Sequence, residues 1–460
     1  MSSTQVLAFD LGASNGRAIV GDYSEGKIKL HEVHRFSNDP VKLNNYIYWD
    51  FPRLFHELKT SLVKAKNQGF NIQSVGIDTW GVDYGLIDED GELIGNPVHY
   101  RDERAIKGMN KLLATYDKQD LKKRTGMDCV SYNTVNQLIN DKQLKKAKVQ
   151  SMLNMPDLFN YFLTGKMASE FSMVTTTQLY NYETNDWNKE FISELSLDNS
   201  IFNTIIPSGT IVGNVKEDIL NELKINPLKV VSVTSHDTAS AVRAIPTDEE
   251  DILFIATGTW IIVGSKQKTM TMNQKVMDYD LTNEGGKYPN VNLLKNHVGL
   301  WMLQESKRYW EKEGIEIGFG DMVEQGKKAI IDSYINISDP RFFEPGNMPK
   351  KVFDYCKETS QKTPTTIGET VRIIEQSLAK QIAQTLFEIE QAVDKKYDAV
   401  HIFGGGVQDS LLCELIEFYS KKKVIIGAKE ATTFGNVIDQ FIALSTFKES
   451  DRINVLKASL

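Results

Sequence analysis

The chain has 460 residues, 41% apolar and 25% charged, with a formal net charge of −8, a length that exceeds one ordinary core and predicts two or three soluble globular domains. No apolar run is long enough to span a bilayer, the amino terminus MSSTQVLAFD lacks the basic and long apolar segments of an export signal, and the acidic balance excludes a sequence-independent nucleic-acid binder. Three widely spaced cysteines, Cys129, Cys356 and Cys413, exclude a C-x-x-C zinc site and predict a reducing, cytoplasmic location.

Residues 6–9 and 17–21 are short apolar runs around a Gly-containing turn and predict a β-hairpin. A helix is expected over 54–65, a buried strand over 74–77, and another over 84–87 before the turn Asp88-Glu89-Asp90-Gly91. Helical segments with polar loops are expected across 103–225, with Lys145-Lys146-Ala147-Lys148 as a solvated face. Val230-Val231-Ser232-Val233 reads as a buried strand, and Thr238-Ala239-Ser240-Ala241 supplies small residues to start a helix. The polar stretch from Pro246 to Asp251 is a predicted domain boundary. Beyond it, 252–256, the turn Thr257-Gly258-Thr259 and 260–263 repeat the strand-turn-strand pattern of the amino terminus, a weak sign of internal duplication. Residues 339–350 hold Pro340, Pro345, Pro349 and Gly346 and read as a long irregular loop. Thr366-Ile367-Gly368-Glu369 is a capping-box pattern opening an amphipathic helix, whose stripe Val371, Ile374, Leu378, Ile382, Leu386, Ile389 and Val393 predicts a core face. Residues 399–403 read as a buried strand, and Lys421-Lys422-Lys423 as a solvated helix end. Alternating strands and helices of this kind predict α/β layers.

Five segments carry candidate chemistry. In SHDTASAV, Asp237 stands where a strand turns into a helix, the place where open α/β sheets bind small molecules. Beside His236 and Thr238 it would hold a hydroxyl and accept its proton, or it would only cap the helix; the segment alone leaves both open. In DLGASNGR, Gly12 and Gly16 permit a tight turn whose amides suit an anion, Asp10 suits water on a magnesium ion, and Arg17 suits a phosphate. The turn at Thr257–Thr259 and the glycines Gly404, Gly405 and Gly406 before a helix expected near Gln408 offer further phosphate- or ribose-facing backbone. Trp80 and Gly81 would form a flat wall and open edge for a sugar, or Trp80 is an ordinary core aromatic. A P-loop, a G-x-G-x-x-G after a strand, H-E-x-x-H and G-x-S-x-G are all missing, which removes the main support for P-loop, dehydrogenase, zinc-protease and hydrolase readings.

Taken together and in order, DLGASNGR, GIDTWGVD, PVHYRDERA, PDLFNYFLTG, TTTQLYN, SHDTASAV, ATGTWIIVG, TNEGG, LLKNHVGLW, HIFGGGVQDSLL and EATTFGN resemble the FGGY carbohydrate kinases, most closely those acting on L-rhamnulose. The resemblance spans nearly the whole chain. It implies two actin-like (ribonuclease H-like) ATPase domains with mixed sheets flanked by helices: 1–245 binding the sugar, 246–445 binding the nucleotide, and a segment 446–460 returning to the first domain. It implies ATP-dependent, magnesium-assisted phosphorylation of the C1 hydroxyl of L-rhamnulose in L-rhamnose catabolism, by a monomer or homodimer without nucleic-acid or membrane partners. It implies that Asp237 is the general base, and that Gly81, His236, Thr238 and Asn296 touch the ketose. It also implies that Ala13, Ser14, Asn15, Gly16, Arg17, Thr259, Gln304 and Gly404 to Gly406 meet the nucleotide, with Asp10 near the metal. Departures from the family pattern fall at Asn15, Ile261, His297, Asp409, Cys413 and Ala428-Lys429; His297 is expected at the pocket edge, where it would tune the sugar. A kinase for L-fuculose or L-xylulose is the alternative, and a non-catalytic sugar sensor is disfavoured by Asp10, Arg17, Asp237 and Thr259.

Overall fold

The structure is a computed structural model that describes residues 3–145 and 148–460; Met1, Ser2 and, within the lysine run expected at a solvated face, Lys146 and Ala147 lie outside the described residues. The first sheet is built from β1 (Thr4–Leu11), β2 (Asn15–Ser24), β3 (Lys27–Ser37), β4 (Ile72–Thr79) and β5 (Lys229–Ser232), in the order β5-β4-β1-β2-β3, with Thr210–Asn214 outside β5. Strands β1, β4 and β5 run parallel, whereas β2 and β3 are antiparallel to their neighbours. Buried centres explain the near-continuous apolar runs of β1 and β4, and helix α1 (Phe51–Asn67) covers this sheet with Leu54, Leu58 and Leu62. Helix α2 (Asp237–Arg243) leaves the carboxyl side of β5.

The second sheet repeats the plan with β6 (Ile252–Thr257), β7 (Trp260–Gln267), β8 (Val291–Val298), β9 (Ala399–Gly404) and β10 (Lys423–Ile426), in the order β8-β7-β6-β9-β10. Reversing that order gives the first sheet's sequence of pairings, with the same parallel and antiparallel senses. The duplication suggested by two hairpins therefore extends over five strands in each domain. Helices α3 (Trp301–Lys312), α4 (Ile367–Val393) and α5 (Ser410–Ser420) cover it. The α4 stripe from Val371 to Ile389 is fully buried and Val393 is packed at its end. Thr366 caps α4 by accepting from the Glu369 amide at 3.1 Å, while the Glu369 carboxylate reaches the Thr365 amide at 2.7 Å, so the return arm of the box is one residue earlier than the pattern predicts.

Helices α6 (Ala431–Ala443) and α7 (Arg452–Ser459) return to the first sheet: α6 packs on α2, β1 and β4, and the Ile28 amide of β3 donates to Ser459 Oγ of α7 at 2.9 Å. Val6 and Ala8 of one sheet, Phe254 and Phe403 of the other, and Phe434 and Phe441 of α6 share a single apolar cluster. The domains are thus joined at one side by a shared apolar core.

Several expectations are corrected. β3 has no counterpart among the expected strands, because its alternation of apolar and charged residues belongs to a half-covered sheet. The stretch 103–225 also contains strands, notably Val149–Asn154, which pairs with Tyr84–Asp88. Within 339–350, Pro340–Phe342 is a short 3-10 turn and a helix starts at Met348, with Pro349 in its first turn where a missing amide costs nothing. Lys422 is not solvated: it is buried against Glu390 Oε1 at 2.5 Å and donates to the Tyr397 carbonyl at 2.8 Å. No helix among the described residues is long and apolar enough to cross a membrane.

Candidate active site

Three carboxylates meet at the carboxyl ends of the first sheet's parallel strands. Asp10 closes β1 and lies opposite Asp78 on β4, and Asp237 opens α2 after β5. His236, not Asp237, occupies the N-cap position and makes no side-chain cap bond. Asp237 Oδ1 accepts from the Thr238 amide at 2.5 Å and from Thr238 Oγ1 at 3.2 Å. About a third of the Asp237 side chain, 36%, remains accessible, so bonding to the first turn does not consume it.

α6 fixes the position of α2. Ser240 Oγ donates to the Thr432 carbonyl at 2.9 Å, Thr432 Oγ1 reaches the Asp237 carbonyl at 3.4 Å, and a Cβ on Gly435 would lie only 1.8 Å from the Ser240 carbonyl oxygen. The segment EATTFGN therefore determines where Asp237 sits, because only a glycine lets the two helix backbones approach that closely.

Asp10 accepts from Arg17 Nη2 at 2.7 Å and Thr433 Oγ1 at 3.1 Å, and Arg17 also bonds Glu430. Arg17 is thus a bracket for Asp10 and the start of α6 and not the free phosphate-reaching cation expected of it. Burial lifts the Asp10 carboxyl above its usual range, with the Arg17 charge opposing. Asp78 is fully buried; its Oδ2 accepts from Asn436 Nδ2 at 2.6 Å, its Oδ1 has no partner among the described residues, and burial together with the nearby Asp10 charge pushes it well above the usual range. Strand-terminal acids in two apolar runs, LAFD and VGID, are the signal that would have identified this pair.

The glycine-marked turns divide their tasks. The Gly12 amide donates to the Asn15 carbonyl at 2.9 Å, leaving Ser14 and Asn15 exposed with Ala13 half-buried. Gly16 is buried under the Phe36 ring, which leaves no room for a Cβ, so it serves packing and not ligand approach. On the second sheet, Gly404 has φ +90° and, like Gly406, presses on Thr257, whereas nothing lies within 4 Å of a Cβ placed on Gly405. Gly405 is therefore the open one of the three. Thr259 Oγ1 reaches Gln304 Oε1 of α3 at 3.4 Å beside this turn. Asp409, a departure from the family pattern, caps α5 through the Leu412 amide at 3.1 Å, so that helix starts at Ser410, near the expected Gln408, directly after a 3-10 turn over Gly405–Gln408.

Around His236 the pocket is narrow. A Cβ on Gly81 would stand 3.1 Å from Thr176 and 3.3 Å from His236 Nε2, so these three residues are neighbours, and Thr238 Oγ1 lies beside the Asp237 carboxylate. Asn296 is exposed beside the Tyr132 hydroxyl of the first domain. His297 points the other way along β8 and bonds Thr385 of α4 at 2.9 Å; alternation along a strand removes it from the pocket edge. Trp80 is also turned inward. Its Nε1 donates to Asp83 Oδ2 at 2.9 Å, as Trp49 Nε1 does at 2.6 Å, and the two indoles pack with centroids 4.1 Å apart. Trp80, buried by these partners, therefore forms no open wall for a sugar. Asp83, buried among four N–H donors, is held up at about 6 by burial.

The His236 loop rests on Glu170, for which the sequence carries no distinctive signal. Glu170 Oε2 accepts from Ser172 Oγ at 2.5 Å and from the Ser235 amide at 3.3 Å, and Ser172 Oγ in turn accepts the His236 amide at 3.0 Å. Glu170 Oε1 has no partner among the described residues, and the adjacent Asp157 accepts the Glu170 amide. Burial raises Glu170 to about 7 and raises Asp157 as well. A carboxyl raised on folding stabilises the fold fully below its unfolded value and loses that contribution as pH rises through the folded value. Glu170→Gln keeps an acceptor for Ser235 and offers an N–H to Asp157. The variant is expected to melt increasingly above wild type as pH rises from about 5 to about 7.5; parallel melting curves across that range would refute the assignment.

The chain matches the family model for "FGGY family of carbohydrate kinases, N-terminal domain" over residues 5–243 and that for the C-terminal domain over 253–444. It is 36% identical over 444 residues to a protein of Oceanobacillus iheyensis named rhamnulokinase, covering 95% of this chain and 93% of that one. A protein of the same name from Halalkalibacterium halodurans is 38% identical over 443 residues, covering 95% and 93%. The fold is similar to that of a ligand-bound xylulose kinase from Lactobacillus acidophilus, with TM-score 0.80 over 98% of this chain and 92% of that one at 12% identity.

Proposed function

The chain belongs to the FGGY family of carbohydrate kinases, and from that premise we propose that it transfers the terminal phosphoryl group of ATP to the C1 hydroxyl of L-rhamnulose. The observation that carries the choice of sugar is the likeness, over 95% of the chain, to proteins named rhamnulokinase. In this reading the first domain, 1–245, supplies Gly81, His236, Asp237 and Thr238 to the ketose. The second, 246–445, supplies Asn296 to the ketose and Thr259, Gln304 and the open Gly405 to the nucleotide, with the turn Ala13–Asn15 facing the phosphates.

Phosphoryl transfer asks the protein mainly for positioning and charge compensation. Asp237 orients the C1 hydroxyl and takes its proton as the oxygen bonds phosphorus, a late proton transfer that asks mainly for position. His236 and Thr238 keep the ketose from rotating. Arg17 holds Asp10 in place rather than gripping a phosphate itself. Asp10, whose side-chain hydrogen bonds from Arg17 and Thr433 both go to Oδ2, would hold the water of a magnesium ion through Oδ1, and the ion when bound would offset phosphate charge. Approach of the two domains excludes water from the transferred group. The location assigned to this activity is the cytoplasm.

The test is an ADP-release assay with Mg-ATP over L-rhamnulose, L-fuculose, L-xylulose and D-xylulose. The highest kcat/KM is expected for L-rhamnulose; a tenfold or larger preference for another sugar, on the order of 1.4 kcal/mol, would overturn the sugar assignment.

A further inference from the structure

Resting on the kinase reading above, we propose that Glu284, contributed by the second domain, is a positioning residue of the ketose site that anchors His236 through Nδ1 and leaves Nε2 as the ring nitrogen facing the sugar. Among the described residues, His236 Nδ1 is buried and without a hydrogen-bond partner. Its nearest carboxylate oxygen is Glu284 Oε2, at 3.6 Å, while Nε2 stands 3.5 Å from Asp237 Oδ1 and beside Gly81. A buried ring nitrogen left unbonded is costly, and a small rotamer adjustment of either side chain closes the Glu284 gap to hydrogen-bonding distance.

The backbone carrying Glu284 is fixed for this purpose. It belongs to the edge strand Thr282–Gly285 of the second sheet, yet both neighbours are tied to the first domain. Asn283 donates from its amide and from Nδ2 to the Gly126 carbonyl at 3.0 and 2.9 Å, and the Gly285 amide donates to Thr175 Oγ1 at 2.7 Å. A Cβ on Gly285 would stand 2.8 Å from the Phe171 ring, so the strap cannot ride higher. Glu284 is only 13% exposed, faces Asp237 as well as His236, and has Tyr132 and Tyr182 nearby. An imidazole whose far nitrogen is held by a carboxylate is fixed in ring orientation and tautomer, the arrangement that also orients metal-binding and catalytic histidines. The ketose pocket is then incomplete without the second domain.

The experiment compares Glu284→Ala and Glu284→Gln in the full chain. Glu284→Ala is expected to raise the ketose KM about 10- to 100-fold, as loss of such an orienting partner does elsewhere, with the ATP KM and melting temperature unchanged. Glu284→Gln, whose amide oxygen still accepts from Nδ1–H, restores most of the ketose affinity. In parallel, long-range proton–nitrogen NMR of the ligand-free wild-type chain is expected to show a proton on His236 Nδ1. An unchanged ketose KM in Glu284→Ala, equal losses for both substrates, no rescue by Gln, or a bare Nδ1 in the wild type overturns the proposal. The NMR result stands independently of turnover: a wild-type chain that phosphorylates no ketose refutes the kinase reading, while the Nδ1 proton still decides the anchoring.

Discussion

Asp237→Asn is expected to lower kcat by about three orders of magnitude, within the range for removal of a positioned general base, while ATP and L-rhamnulose still bind and the melting temperature stays near that of the wild type. The carboxylate is at the first position of α2, not at its cap, and its bonds go to Thr238 within the same turn. Asparagine retains an oxygen for the Thr238 amide, so the helix start is preserved, but it cannot take the proton of the attacking hydroxyl. Steady-state kinetics together with calorimetric titration of both ligands separate these effects. If Asp237 were only a helix-start residue, the variant would keep near-wild-type kcat and its whole effect would lie in stability.

The second large effect is expected at Gly435→Ala. The added methyl group would meet the Ser240 carbonyl oxygen at 1.8 Å and Ser240 Oγ at 2.8 Å, and backbone atoms on two packed helices cannot turn aside as a flexible side chain does. Overpacking of this kind costs on the order of 3 kcal/mol, and here the strain separates α2 from α6. A lower urea midpoint and a fall in kcat without a matching rise in ATP KM are the expected pair of results. Gly405→Ala is the control, because its Cβ meets nothing within 4 Å: it should fold like the wild type. A Gly435→Ala protein with wild-type stability and kcat would show that the α2–α6 crossing does not hold Asp237 in place.

Positions marked by glycines and strand-terminal acids are legible in the sequence because their chemistry is local. Asp237, the turn at Gly12, and the paired hairpins at β1–β2 and β6–β7 all follow from residues adjacent in the chain. What the sequence hides depends on distant partners. Arg17 has the look of a free cation until Asp10 and Glu430, the latter 413 residues away, enclose it. His297 resembles a pocket residue because it adjoins Asn296, although successive strand residues face opposite sides. Trp80 resembles a sugar-facing wall, yet Asp83 and Trp49 draw it inward. Glu170 sits in a segment of no distinctive composition and Glu284 in the motif TNEGG, which by itself assigns it no partner; only the tertiary fold brings them beneath and beside His236. Helix α6 shows the same limit at the level of domains: it follows the second sheet in sequence and packs on the first.

The central claim is most directly tested by identifying the product. Purified chain incubated with Mg-ATP and L-rhamnulose should yield one equivalent of ADP and a single sugar phosphate, in which phosphorus–proton correlation NMR couples the phosphorus to the C1 methylene protons. A phosphate on another carbon, or ADP formed with free inorganic phosphate and unmodified ketose, would contradict the account.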